Sequence, residues 1–174
     1  MMNMMNDLMP NVPVRTRIVH RRSLQSGVGL IEVLVAVLVL SIAFLGIAAL
    51  QAMSLSTNNS AMARSMATIA SYSILDAMRA DFDTAKAGTY DRTGTSAVKA
   101  SACPAGTGSL ANAQISEWCG QLAQTLGAAA TTTGDINCST VGDSVDCTVT
   151  ITFDDSRAGV GGSSVQKVTT RAML

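Results

Sequence analysis

From Val28 to Leu50 the chain is apolar at almost every position, with Gly29, Glu32, Ser41 and Gly46 as the interruptions. A run of that length predicts one helix able to cross a bilayer, which needs roughly 20 residues. No proline follows until Pro104, so the same helix is predicted to continue to about Phe82, a rod of roughly 80 Å at about 1.5 Å per residue. Its second half is amphipathic. Met62, Met66 and Ile69, then Met66, Ala70, Ile74, Ala77 and Met78, recur at helical spacing, while Asn58, Asn59, Arg64, Arg79 and Asp81 fall at polar positions. That stripe is expected to receive the domain that follows. Ser54, Ser56, Thr57, Asn58, Asn59 and Ser60 form a weak stretch where a fray or kink is expected, because such side chains compete for backbone hydrogen bonds. Gly46 costs about 1 kcal/mol relative to alanine inside a helix.

After Phe82 the periodicity stops. Gly88, Gly94, Pro104, Gly106 and Gly108 punctuate small polar residues, and residues 83–108 read as loop. Leu110, Ile115, Trp118, Leu122 and Leu126 then predict a short second helix over Ser109–Leu126, with Gly127 placed as its C-cap. Residues 128–134 read as a small-residue linker. Two β segments, Ile136–Val141 and Ser144–Phe153, flank Gly142-Asp143, a two-residue turn of the II′ kind. In the second, Val145, Cys147, Val149, Ile151 and Phe153 alternate with Asp146, Thr148, Thr150 and Thr152, which predicts one packed face and one wet face of an antiparallel sheet. A solvated loop over 154–164, carrying Asp154 and Asp155, leads to a last strand over Val165–Leu174, whose weak alternation suits a sheet edge and whose lysine and arginine discourage further pairing.

Charge adds an orientation. The whole chain has formal net charge zero, but Arg15, Arg17, Arg21 and Arg22 precede the apolar run against Asp7 alone, so residues beyond Gly27 hold 8 basic and 11 acidic side chains. Basic residues before the span place the N-terminus in the cytoplasm and export the rest. Nothing basic enough for nucleic acid remains beyond Gly27.

Cys103, Cys119, Cys138 and Cys147 all lie on the exported side. Four cysteines in an exported domain poor in aromatic residues read as two disulfides, with three connectivities possible. Zinc is the competing use, but no C-x-x-C pair exists and the sole histidine, His20, lies in the leader. Cys119 on the short helix can reach back to Cys103. If Val141 faces Ser144 beside the turn, alternation puts Cys138 opposite Cys147 in a non-hydrogen-bonded pair, within disulfide reach.

Glu32 is the residue a plain anchor does not need, because a carboxylate in a membrane helix carries a cost and usually marks function. Gly27, an apolar residue after it, Leu30-Ile31-Glu32 and the unbroken apolar helix resemble the class III signal of type IV pilins and pseudopilins. The resemblance implies that prepilin peptidase cuts after Gly27, that Val28 becomes an N-methylated terminus, and that Glu32 docks the subunit into a growing filament. Val28 stands where phenylalanine is usual and Gly29 where threonine or serine is usual. It further implies an α+β pilin-like fold, a long N-terminal helix on a small antiparallel sheet with a short extra helix in the connection. The chain then divides into a leader (1–27), a transmembrane and filament-core helix (28–50), its periplasmic amphipathic half (51–82) and a globular domain (83–174).

Val28-Gly29-Leu30-Ile31-Glu32, Ile115-Ser116-Glu117-Trp118 and Val149 to Asp155 are similar to the PilV family of type IV pilus modification proteins. That similarity implies a minor pilin, anchored in the inner membrane by a single pass and then carried to the pilus, near its tip. Its expected partners are other minor pilins, the major pilin, the peptidase and the inner-membrane assembly platform. A minor pseudopilin of a type II secretion system is the alternative, and an anchored periplasmic domain with no filament role is another. An ordinary signal peptide cut at Gly46-Ile47-Ala48 would instead start the mature chain at Ala49. No catalytic constellation or cofactor is expected: no histidine lies beyond the leader, and Gly159 to Gly162 lacks the lysine of a phosphate loop.

Overall fold

A computed structural model describes residues 27, 29–159 and 161–174. The leader expected over 1–27 therefore lies outside the described residues except for Gly27. Four elements are helical or extended before the main sheet: α1 (Leu30–Ala80), α2 (Phe82–Lys86), the two-residue strand β1 (Val98–Lys99) and α3 (Leu110–Leu126). The sheet is completed by β2 (Thr133–Val141), β3 (Ser144–Phe153) and β4 (Gln166–Met173). All pairs are antiparallel and the order is β1-β2-β3-β4. The chain divides into two units at Ser41, inside α1.

α1 runs without interruption through the serine- and asparagine-rich stretch. The polar side chains there have other bonding partners: Thr57 Oγ1 donates to the Met53 carbonyl (2.9 Å), Ser56 Oγ to the Arg157 carbonyl (2.8 Å) and Ser60 Oγ to Asp155 (2.5 Å). The expected fray is absent, and two of these three bonds tie the stretch to the segment after β3. α1 stops where Asp81 leaves helical geometry (φ −120°, ψ 52°) and a further turn, α2, follows.

The buried face of α1 is Ser60, Ala67, Ala70, Ser71, Ile74, Leu75 and Met78. Met62 and Ile69, expected on the packed stripe, are 59% and 53% exposed. Small residues displace them because the partners come close: the Trp118 indole N–H of α3 donates to the Ala70 carbonyl at 2.9 Å, within the body of α1. Facing this come Ala111, Ile115, Trp118, Cys119 and Leu122 of α3, Ile136 of β2, and Val145, Cys147, Val149, Ile151 and Phe153 of β3. Each fully buried Leu, Ile, Val or Phe in that set contributes about 1.5–3 kcal/mol. Leu110, expected on the packed side of the short helix, is exposed, and Ala111 is buried in its place.

The region expected to be loop over 83–108 contains α2, β1 and the buried Tyr90. Two-residue strands leave no alternation in sequence, so β1 has no local signal. Likewise β2 begins at Thr133, inside the expected linker, because Thr133 and Gly134 pair with both β1 and β3. Ser109 caps α3 by accepting from the Asn112 amide (3.2 Å), and Gly127 ends it in an extended left-handed conformation (φ 102°, ψ 137°) rather than the αL cap. Val141 pairs with Ser144 across Gly142, whose φ is +62°, and Cys138 faces Cys147.

Candidate functional site

The N-terminal site is built by the start of α1. The Glu32 and Val33 amides donate to the Gly29 carbonyl (2.9 and 3.3 Å), so the first turn closes on Gly29 and sets Glu32 within it. A carboxylate in the first turn is favoured by the helix dipole by about 0.3–1 kcal/mol, which gives Glu32 a local role beside any docking role. Gly27, Gly29 and every residue from Leu30 to Leu50 are exposed. An 18-residue window of this segment has mean hydropathy 3.0, and α1 is long and apolar enough to cross a membrane. Val28, the expected methylation position and the residue after the expected cut, lies outside the described residues. What this surface can do chemically is enter an apolar phase and present one acid there.

The four cysteines sit in the other unit. Cys103 is joined to Cys119, tying the loop before α3 to that helix, with Cα atoms 5.6 Å apart. Cys138 is joined to Cys147 across β2 and β3, with Cα atoms 4.1 Å apart. Among the described residues no group of three or more His, Cys, Asp or Glu side chains is placed to hold a metal ion.

Sequence reasoning missed one cluster. Asp154 and Asp155 were expected on a solvated turn, yet Asp155 is only 8% exposed. Its carboxylate accepts from Ser60 Oγ and, at 3.5 Å, from Arg64 Nη2, and its amide donates to the Ser163 carbonyl at 2.8 Å. Arg64 also reaches the Gly161 carbonyl (2.9 Å) and Gln166 (3.4 Å). Asp154 remains exposed and accepts from the Ser156 amide, which holds its carboxyl below the usual carboxylate range. The loop between β3 and β4 is therefore fastened to the second half of α1. Ser60 and Arg64, four residues apart on α1 and opposite an acidic pair far along the chain, are the signal in the sequence, but nothing local links them.

A groove of about 590 Å³ lies between α1 and α3, lined by Ser73, Ala77, Gln114, Glu117, Gln121 and Gln124 among others. It gathers amides, the Ser73 hydroxyl and one acid, and its lining holds no histidine, lysine or cysteine to activate that hydroxyl.

No curated protein and no solved structure matches this chain. Residues 22–48 match the prokaryotic N-terminal methylation motif, a type IV pilin-like prepilin signal, and the apolar half of α1 that it covers is long and apolar enough to anchor an α+β chain with a long N-terminal helix in a membrane.

Proposed function

We propose that this chain is a minor pilin of a type IV pilus, similar to the PilV family, which primes assembly as part of a complex near the pilus tip. The observation that carries the reading is an acid, Glu32, five residues past Gly27 at the head of an exposed apolar helix within the matched motif. Prepilin peptidase would release the leader after Gly27 at the cytoplasmic face, and methylation of the Val28 amine would leave its positive charge in place. In a bundle of such helices that amine meets the Glu32 carboxylate of a neighbouring subunit. At a given separation the attraction is about fourfold stronger there than in water. Before assembly the apolar half of α1 holds the chain in the inner membrane with the sheet domain in the periplasm. Its partners are then the peptidase, the assembly platform, other minor pilins and the major pilin. No cofactor enters this role, which is structural rather than catalytic.

Deleting the gene tests it. Loss of surface pili with exoprotein secretion intact is the expected outcome. Lost secretion with pili retained would instead assign the chain to the pseudopilins of a type II secretion system. No change in either would leave an anchored periplasmic domain and overturn the filament reading.

A further inference from the structure

The rest of the chain treats the two edges of the sheet differently. Along β2 the outward backbone is engaged from Gly134 to Cys138: Gly134 pairs with Val98, Ile136 exchanges both backbone bonds with Arg92 (2.8 and 2.9 Å), and the Cys138 amide donates to the Asp91 carboxylate (3.0 Å). β4 has no such cover. Val145 and Leu174 exchange both backbone bonds (2.8 and 3.3 Å), which fixes the alternation along the ladder. Val168, Thr170 and Ala172 turn their amides and carbonyls toward β3. Lys167, Thr169, Arg171 and Met173 turn theirs away from the sheet. Among the described residues nothing outside β4 bonds to the backbone amides and carbonyls of those four, and the Lys167 carbonyl takes only the side-chain amide of its neighbour Gln166 at 3.3 Å.

Amides and carbonyls repeated at strand spacing are matched by another extended backbone. Side chains decide which one. Lys167, Thr169, Arg171 and Met173 are all exposed. Arg171 is already clasped by Asp146 of β3, whereas Lys167 has no carboxylate partner among the described residues. Two β4 strands paired about Thr169 would set Lys167 of each against Arg171 of the other, which disfavours self-association. An incoming strand with an acid opposite Lys167 gains a cross-strand ion pair instead.

We propose that β4 is a docking edge for an extended acidic segment of a second polypeptide, which joins the sheet as a fifth strand. The inference does not depend on how the N-terminus is processed.

The test titrates the full-length protein in detergent micelles with two peptides of about six residues, one alternating threonine with glutamate and one alternating threonine with lysine. Amide exchange is read residue by residue by NMR. The glutamate peptide is expected to protect Lys167, Thr169, Arg171 and Met173 while leaving Val168, Thr170 and Ala172, already bonded to β3, unchanged. Thr169→Pro removes an outward amide and leaves the backbone bonds to β3 in place, losing only the exposed hydroxyl contact with Thr150 (3.3 Å), so it should fold and lose about tenfold or more in peptide affinity. Lys167→Glu, an exposed change the fold does not notice, should lose about fivefold and shift preference to the lysine peptide. Equal protection by both peptides, no protection by either, or dimerisation through β4 without peptide would each overturn the proposal. So would undiminished binding by folded Thr169→Pro or by Lys167→Glu.

Discussion

Ser60 and Asp155, 95 residues apart in the chain, meet through a 2.5 Å hydrogen bond in which the α1 hydroxyl donates to a buried carboxylate of the β3–β4 loop. Removing the acceptor strands the hydroxyl and takes away the side-chain bonds by which Ser60 and Arg64 of α1 hold this loop at Asp155. Asp155→Ala should therefore cost about 1–3 kcal/mol, with Asp155→Asn losing less because an amide oxygen can still accept from Ser60. Arg64 lies 3.5 Å from the same oxygen with its side chain 43% exposed, so Arg64→Lys should change stability by less than 1 kcal/mol or so. Chemical unfolding gives the magnitudes. Trypsin gives the location, since cleavage after the exposed Arg157 should accelerate in Asp155→Ala.

Gly134 lies beneath the Trp118 ring so closely that a Cβ there would come 2.3 Å from Cη2 and 2.7 Å from Cζ3. Gly134→Ala must push the ring away, and with it the indole N–H bonded to Ala70. A loss of about 1–3 kcal/mol is expected for overpacking of this kind. The chain has one tryptophan, so its emission should shift to the red in the variant. Unchanged emission and stability would mean that α3 can slide on β2 at no cost.

Neither of these two sites was legible in the sequence, whereas the hairpin beside them was. Strict alternation over ten residues fixed the face of β3, and the turn at Gly142-Asp143 set a register in which Cys138 meets Cys147. Both signals are local, set by period and by turn chemistry. Two apolar stripes on one helix are not resolved that way. Met62 and Ile69 are as periodic as Ala67 and Ala70, and the choice between them depends on how near Trp118 must come, which only the partner element determines. The same holds for Asp155, whose burial rests on two α1 residues far away, and for Gly134, which sits in an expected linker yet serves as the floor of the tryptophan pocket. At the N-terminus the legible feature is the motif over residues 22–48, which holds Gly27 and Glu32 and is read through a family resemblance rather than through packing.

Tyr90 is fully buried, with its hydroxyl against Asp81 (3.1 Å) and Gln114. Burial, the hydrogen bond to Asp81 and the charge of that carboxylate together push the phenol from 10.0 up to about 12. The folded pKa is raised, so the associated stability is complete below pH 10 and is lost as pH rises toward about 12. Tyr90→Phe cannot ionise and should lose less stability across that window, although it starts about 1 kcal/mol lower for the missing hydrogen bond. The difference between the two unfolding curves at each pH isolates the tyrosine. A constant difference from pH 8 to 12 would contradict the assignment.

The two disulfides should not contribute equally. Cys138 and Cys147 are 9 residues apart on strands already paired from Thr133 to Thr152, while Cys103 and Cys119 are 16 apart and connect a fully exposed segment to a buried helix position. Chain-entropy reasoning gives about 3 kcal/mol for a loop near the longer length and slightly less for the shorter. The hairpin's other bonds already hold the shorter one closed. Replacing Cys103 and Cys119 together by alanine is therefore expected to lower stability more than replacing Cys138 and Cys147. Denaturant midpoints of the two double variants decide, and the opposite ranking would show that the hairpin is not self-sufficient.

Glu32 can act on its own helix or on a neighbour, and the two roles separate by position. The dipole of α1 rewards an acid anywhere in the first turn, whereas docking requires the one direction in which Glu32 projects. Moving the acid one residue back, as Ile31→Glu with Glu32→Ile, keeps the charge in that turn and rotates it by about 100° around the axis. Under the docking role both this swap and Glu32→Ala should be inserted and cut normally, then enter filaments poorly. Glu32→Gln tests whether the charge itself is needed, and it should fail as well, because an amide cannot neutralise the amine of the adjacent subunit. Immunoblots of sheared filaments against membranes give the ratio. Normal incorporation of the swapped variant would reduce Glu32 to a helix-end residue and leave docking to the apolar surface of α1.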